Sequence, residues 1–210
     1  MATETPSSAV PPTTISLRAP SQYVSEPPAS FTSPPLDWLM RTWSVTHSTL
    51  SMWRDAQNVR ITYKPIQSEA PVTKIDDLVE YEKKGGSGGL KSVAGIDTMD
   101  PNHVAAWDWR GKGWLMIASS HWEVLGWGER PREGGAEGEV ERWAVTWFAA
   151  TLFTKEGLDI YTDRKEGLSK ATVDEIMTAF KGLKESAPRV AGLVEEGMEE
   201  VLISLPWKET

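Results

Sequence analysis

His121 and Glu123 are the two residues whose types and spacing best suit proton chemistry. Side chains on a regular strand repeat every two residues, so both point to one face. There the carboxylate can orient the imidazole while the ring gives or takes a proton. The competing reading is a buried histidine satisfied by a neighbour in a polar core cluster. His47 lies in the alternating run Trp43 to Leu50 and can project into the same interior as a third catalytic candidate, or serve as a core or rim histidine. His103 follows a Pro-Asn turn and reads as a surface residue.

Other side chains suit recognition. Asp108 and Arg110 alternate with Trp107 and Trp109, so they can share a face and pair, either polarising a bound carbonyl or forming an exposed cross-strand pair. Arg60 can receive a ligand carboxylate or lie on a solvated face. The chain has eleven Trp against four Phe and four Tyr, and such rings give flat stacking surfaces with an N–H donor. Trp107, Trp109, Trp122, Trp143 and Trp147 are the candidates to line a pocket.

Several chemistries lack their residues. With no cysteine, thiol nucleophiles, disulfides and cysteine-ligated metals are excluded. The histidines show neither HxH nor HExxH spacing, so no metal and no cofactor are expected. Gly85-Gly86-Ser87-Gly88-Gly89 lacks the lysine and the strand-to-helix setting of a phosphate cradle, and no Gly-x-Ser-x-Gly elbow occurs. A net charge of −8 argues against nucleic acid as a partner. The first residues show no signal-peptide pattern and no run is long and apolar enough for a membrane helix, so the expected compartment is the cytoplasm, without membrane insertion. Oligomeric state is not legible.

These candidates need strands to hold them. Residues 104–129 carry five of the eleven tryptophans and read as a hairpin turning at Gly111-Lys112-Gly113, with a long second strand from Trp114 to Trp127 bending at Ser119-Ser120. That register puts Trp109 opposite Leu115 and Trp107 opposite Ile117. Further strands are expected at residues 43–50, 58–66, 77–82, 90–98, 140–151 and 158–162, which makes eight. An eight-stranded meander closes most naturally as an up-and-down barrel. Residues 1–35 hold eight of the fourteen prolines and read as a disordered tail. The barrel is expected over 36–165. Two helices follow in 166–205, the first with Thr172 and Glu175 as a capping box and the second with Pro188 in its first turn.

The layout of a helical turn, Arg41-Thr42-Trp43 opening the first strand, eight strands and a trailing helix resembles the calycin superfamily, and more loosely the lipocalin-like proteins of fungal natural-product pathways. Trp43 matches the family's Gly-x-Trp, while Arg41 stands at the glycine. The family stacks a late-strand arginine on that Trp, which Arg142 or Arg164 could supply. The resemblance implies a small hydrophobic or aromatic ligand inside the barrel. Two functions follow as expectations: a cofactor-free isomerase or cyclase, a pericyclase among them, acting on an apolar natural-product intermediate, or a non-catalytic carrier or sensor. A third use, protein interaction through the C-terminal helices and Glu195, Glu196, Glu199 and Glu200, is weaker.

Overall fold

The computed structural model describes residues 11–66, 73–132, 134–152 and 154–209. The short helix α1 (Leu36–Leu39) leads into β1 (Thr42–Ser48), β2 (Ala56–Pro65), β3 (Lys74–Lys83), β4 (Lys91–Met99), β5 (Ala106–Gly111), β6 (Ser119–Pro131), β7 (Val140–Phe148) and β8 (Gly157–Thr162). Each strand pairs antiparallel with the next, and β1 pairs with both β8 and β2, so the sheet closes on itself. This is the expected eight-stranded up-and-down barrel, with α2 (Lys170–Lys181) and α3 (Pro188–Gly197) after it. The short β9 (Glu199–Glu200) adds to β1. No described helix is long and apolar enough to cross a membrane.

Alternation along the strands sorts the apolar side chains into two cores. The inner one holds Trp43, Val45, Ile61, Tyr63, Ile75, Trp107, Trp122, Val124 and Tyr161. The outer one places Leu125, Trp143, Val145, Trp147, Leu158 and Ile160 under Ile176 and Phe180 of α2 and Val190 and Val194 of α3. A bulge between Val124 and Gly126 lets Leu125 and Gly126 both face out, so that Val124 and Trp127, three residues apart, both face inward. α2 is capped by Ser169, which accepts from the Thr172 N–H. The capping box expected one turn later, at Thr172 and Glu175, is corrected accordingly.

Two further expectations change. The tail expected over 1–35 begins with residues 1–10, which lie outside the described residues, but 11–35 form a strap laid along the barrel. Glu129 N–H donates to Pro12 O (3.1 Å), Arg18 N–H to Leu125 O (2.9 Å) and the Trp127 indole to Thr32 O (2.7 Å). Ile15, Leu17, Tyr23 and Val24 pack on the outer core. Strap and barrel approach so closely at Gly126 and Gly128 that an added Cβ would stand 2.5 Å from Leu17 and 2.2 Å from Pro12 O.

The central turn is also longer than expected. Residues 113–115 form a 3-10 turn and β6 starts at Ser119, so Trp107 pairs with Trp122 and Trp109 with Ser120. Trp114, Met116 and Ile117 are loop residues, exposed because no strand follows Gly113.

Candidate functional site

Register fixes the face of every candidate. Asp97, Trp107, Trp109 and Trp122 fall on the inward side of β4 to β6, whereas Asp108, Arg110, His121 and Glu123 fall outside. Asp108 sits opposite His121. His121 and Glu123 do share a face, but it is the outer one, where the strap covers Glu123. This corrects their expected place inside the barrel: the long turn sets Trp122, not its neighbours, inward.

Glu123 is fully buried and clamps the strap. Arg18 Nη1 lies 2.7 Å from its Oε2, the Ser21 hydroxyl donates at 2.6 Å and Ser21 N–H at 3.0 Å. Arg18 also donates to Val124 O (3.0 Å) and Val104 O (2.7 Å). Burial alone would push the Glu123 carboxyl up, but hydrogen bonds from His121 and Ser21 and the Arg18 guanidinium together bring it down to about 2. His121 reaches Asp108 Oδ1 at 2.9 Å and Glu123 Oε1 at 3.4 Å. Its hydrogen bond to Glu123, opposed by burial and helped by Asp108, raises its pKa. The ring is half-buried and borders an open groove of about 1320 Å³ on the outer wall of β4 to β6, rimmed by Ile96, Met116, Ile117 and Leu152.

The remaining candidates are dispersed. His47 lies in a different outer groove, beside Glu200 and Gly167, and burial lowers its pKa against the pull of Glu200. Arg60 is closed off: it pairs with Glu80 (3.1 Å), donates to Lys208 O (2.8 Å) and stacks on Trp207 (4.9 Å). Arg110 donates to Met116 O (2.9 Å) and so braces the loop, while its expected partner Asp108 turns to His121. Trp143 and Trp147 belong to the outer core, and the Trp147 indole donates to Glu156 (2.8 Å). Trp107 and Trp122 do face inward, stacked at 6.0 Å, and Trp122 stacks in turn on Tyr63 at 5.5 Å. Trp109 lies over Gly95, where a Cβ would come within 2.0 Å of the indole nitrogen.

Sequence reasoning overlooked the interior acids. Asp77 pairs directly with Tyr63, and Asp97 is its diagonal neighbour across β3 and β4. Trp122 donates to one Asp97 oxygen at 2.8 Å, while the other, Oδ2, has no partner among the described residues, and neither has Oδ1 of Asp77. Burial pushes Asp97 up to about 7 against the Trp122 bond, and burial with the neighbouring Asp97 raises Asp77 well above the usual range. Asp159, held by the Ser48 hydroxyl at 2.5 Å, is also lifted by burial to about 7. The signal was present: Asp77 falls in the inward row Ile75, Asp77, Val79, where an acid interrupts apolar residues.

At its base the barrel is closed by Trp38, Trp43 and Trp127, with ring centroids 4.9 and 4.8 Å apart, and the Trp43 indole donates to Leu39 O at 2.9 Å. The cation over Trp43 is Arg41, at 5.4 Å. Arg142, one of the two expected there, instead bridges Glu129 (2.6 Å) and Asp163 (2.8 Å), and Arg164 pairs with Glu139 at 2.7 Å. Closed strand order and the short helix with Trp38 packed on Trp43 at the base decide the chain's architecture. The fold is a lipocalin-like barrel.

No family model matches this chain, and no curated protein matches it by sequence. Among solved structures it is similar to apocrustacyanin C1, at 12% identity over 80% of this chain and 78% of that one, with a TM-score of 0.49. Lobster apocrustacyanin A1 follows at 10% identity, 80% and 78% coverage and a TM-score of 0.47. The siderocalin Ex-FABP matches at 9% identity, 80% and 95% coverage and a TM-score of 0.48.

Proposed function

We propose that the protein binds a small, mostly apolar molecule against the inward aromatic array and serves as its carrier or sensor. The observation that carries this reading is the pair of interior carboxyl oxygens, Asp77 Oδ1 and Asp97 Oδ2, left without partners among the described residues, beside Tyr63 and Trp122. A buried polar atom without a hydrogen bond costs about 1–3 kcal/mol. A ligand hydroxyl, carbonyl or amine would remove that cost, while the stacked rings of Tyr63, Trp122 and Trp107 take its apolar part. A recess of about 270 Å³ at the base, lined by Leu36, Leu39, Met99, Val104 and Trp107, reaches the outermost ring of that array. The ligand needs no cofactor in this reading, and the cytoplasm is the compartment we assign.

One observation favours a catalytic second reading. A carboxyl whose pKa is near 7 in an apolar, aromatic setting is a general acid at physiological pH. With Asp97 as proton donor, the protein would be a cofactor-free isomerase or cyclase acting on an apolar intermediate. Titration with polyketide, terpenoid and fatty-acid ligands, followed by tryptophan emission, tests binding. Asp97→Asn and Asp77→Asn should weaken it about tenfold, in line with loss of one or two hydrogen bonds. A panel that leaves emission unchanged, or variants that bind as wild type does, refutes the interior site. Product formation by wild type, and its loss in Asp97→Asn at ligand concentrations that saturate the weakened variant, selects the enzyme.

A further inference from the structure

We propose that Asp100, Asp108 and His121, joined by His103, form a divalent transition-metal site on the outer wall of the barrel, suited to Zn2+. A carboxylate oxygen from each aspartate and a ring nitrogen of His121 all lie within 4.8 Å of one another. Donors around a tetrahedral zinc, at bond lengths of about 2.0–2.1 Å, stand roughly 3.4 Å apart. Closing the widest pair therefore takes about 1.4 Å shared between two side chains. His103 stands beside this group and would join it as a second imidazole by turning its ring: its Nδ1 lies 2.7 Å from Asp100 Oδ2, and its ring stands edge-on to that of His121 with centroids 6.1 Å apart. Two imidazoles and two carboxylates form a donor set of the kind that borderline cations take.

The surroundings of His121 supply an independent argument. Its Nδ1 faces Asp108 at 2.9 Å, and its Nε2 faces Glu123 at 3.4 Å. A metal on Nδ1 leaves the ring proton on Nε2, directed at a carboxylate that Arg18 and Ser21 hold rigidly in place. That is the carboxylate–histidine–metal arrangement by which proteins fix the tautomer and orientation of a ligating ring. Asp100 is fixed in the same way: its other oxygen accepts the Asn102 N–H at 2.8 Å, which sets the turn leading to His103. Asp108 is mostly exposed, so a cation has access from the outer groove. The donors come from the β4–β5 turn, from β5 and from β6, and the antiparallel pairing of these neighbouring strands, which sets Asp108 opposite His121, brings them together. This is why histidine spacing predicted no metal.

The test uses the full chain after treatment with a chelator. Titration with Co2+ should give the intense visible absorption of a four-coordinate ion at one equivalent, displaced by Zn2+, and calorimetry should give the same stoichiometry. Asp108→Asn, a surface change with little bearing on the fold, and His121→Ala should each weaken binding tenfold or more. Glu123→Gln should weaken it about 10–100-fold. His47→Ala, in the separate groove, should bind as wild type does. No stoichiometric binding, or affinities for Asp108→Asn and His121→Ala within twofold of wild type, overturns the site.

Discussion

Replacing Asp97 by asparagine should stabilise this protein at alkaline pH, the reverse of what most core substitutions do. Burial raises the carboxyl from its usual 3.8 to about 7, so the folded chain holds a proton there that the unfolded chain releases above pH 4. Stability contributed by the neutral acid is complete below about pH 4 and falls by about 1.4 kcal/mol for every pH unit up to about 7, close to 4 kcal/mol in all. An asparagine amide in its place would keep the acceptor for the Trp122 indole and carry no charge, so the variant should match wild type at pH 4 and exceed it by up to about 4 kcal/mol at pH 8. Asp77 titrates in the same direction, so the double variant should flatten the profile further. Urea denaturation at pH 4, 6 and 8, followed by tryptophan emission, measures these differences. A variant that is weaker than wild type at pH 8, or that keeps the wild-type slope between pH 4 and 7, refutes the argument. Asp97 would then be ionised and satisfied in the folded chain, and the case for an interior ligand would lose its basis.

The other consequences concern the outer wall. Glu123 is held at about 2 against its usual 4.5, so its contribution is complete above about pH 4.5 and is lost as the pH falls toward 2, about 3 kcal/mol at most. Set against the slope from Asp97, this places the wild-type stability maximum near pH 4–5 on an acid-to-neutral denaturation series. Arg18→Met leaves Glu123 buried without its cation and should cost about 3–5 kcal/mol, with proteolysis of the strap as a second readout; a loss under 1 kcal/mol would show that the clamp is not coupled to the fold. Gly95→Ala drives a Cβ into Trp109 and should cost about 1–3 kcal/mol with a shift in tryptophan emission, whereas no change would mean that the indole lies elsewhere. Trp114→Ala, in the exposed loop, should stay within about 0.5 kcal/mol of wild type; a larger loss would restore that residue to a strand.

Strand existence was legible because alternation survives in single segments: Val59, Ile61 and Tyr63 against Arg60, Thr62 and Lys64 places β2 on its own. Closure followed from the count of strands and their short connections. Face assignment around the central hairpin failed because Gly111-Lys112-Gly113 has the composition of a tight turn, while the backbone spends five more residues on a 3-10 loop before β6 begins. The strap was missed for a different reason. Averaged over 35 residues its proline content dominates, but the attachment depends on Arg18, Ser21 and a few apolar residues, a density too low to move any composition measure. Asp77 and Asp97 were passed over because acids on a strand default to the solvent face, and only the register across β3 and β4 turns them inward.

The strap also bears on how the outer wall can function. Without it, Glu123 would be a solvated carboxylate beside a histidine, with an exposed-pair strength under about 1 kcal/mol. Covered by Arg18 and Ser21, it becomes a fixed charge in a low-dielectric position, and a fixed charge can hold one ring tautomer against competing water. The segment whose composition suggested no structure therefore helps to orient the His121 ring. It follows that loss of the strap should be felt first at His121 and only later in the barrel, since of the strap's residues only Phe31 packs against the inner core of Trp43, Trp122 and Tyr161.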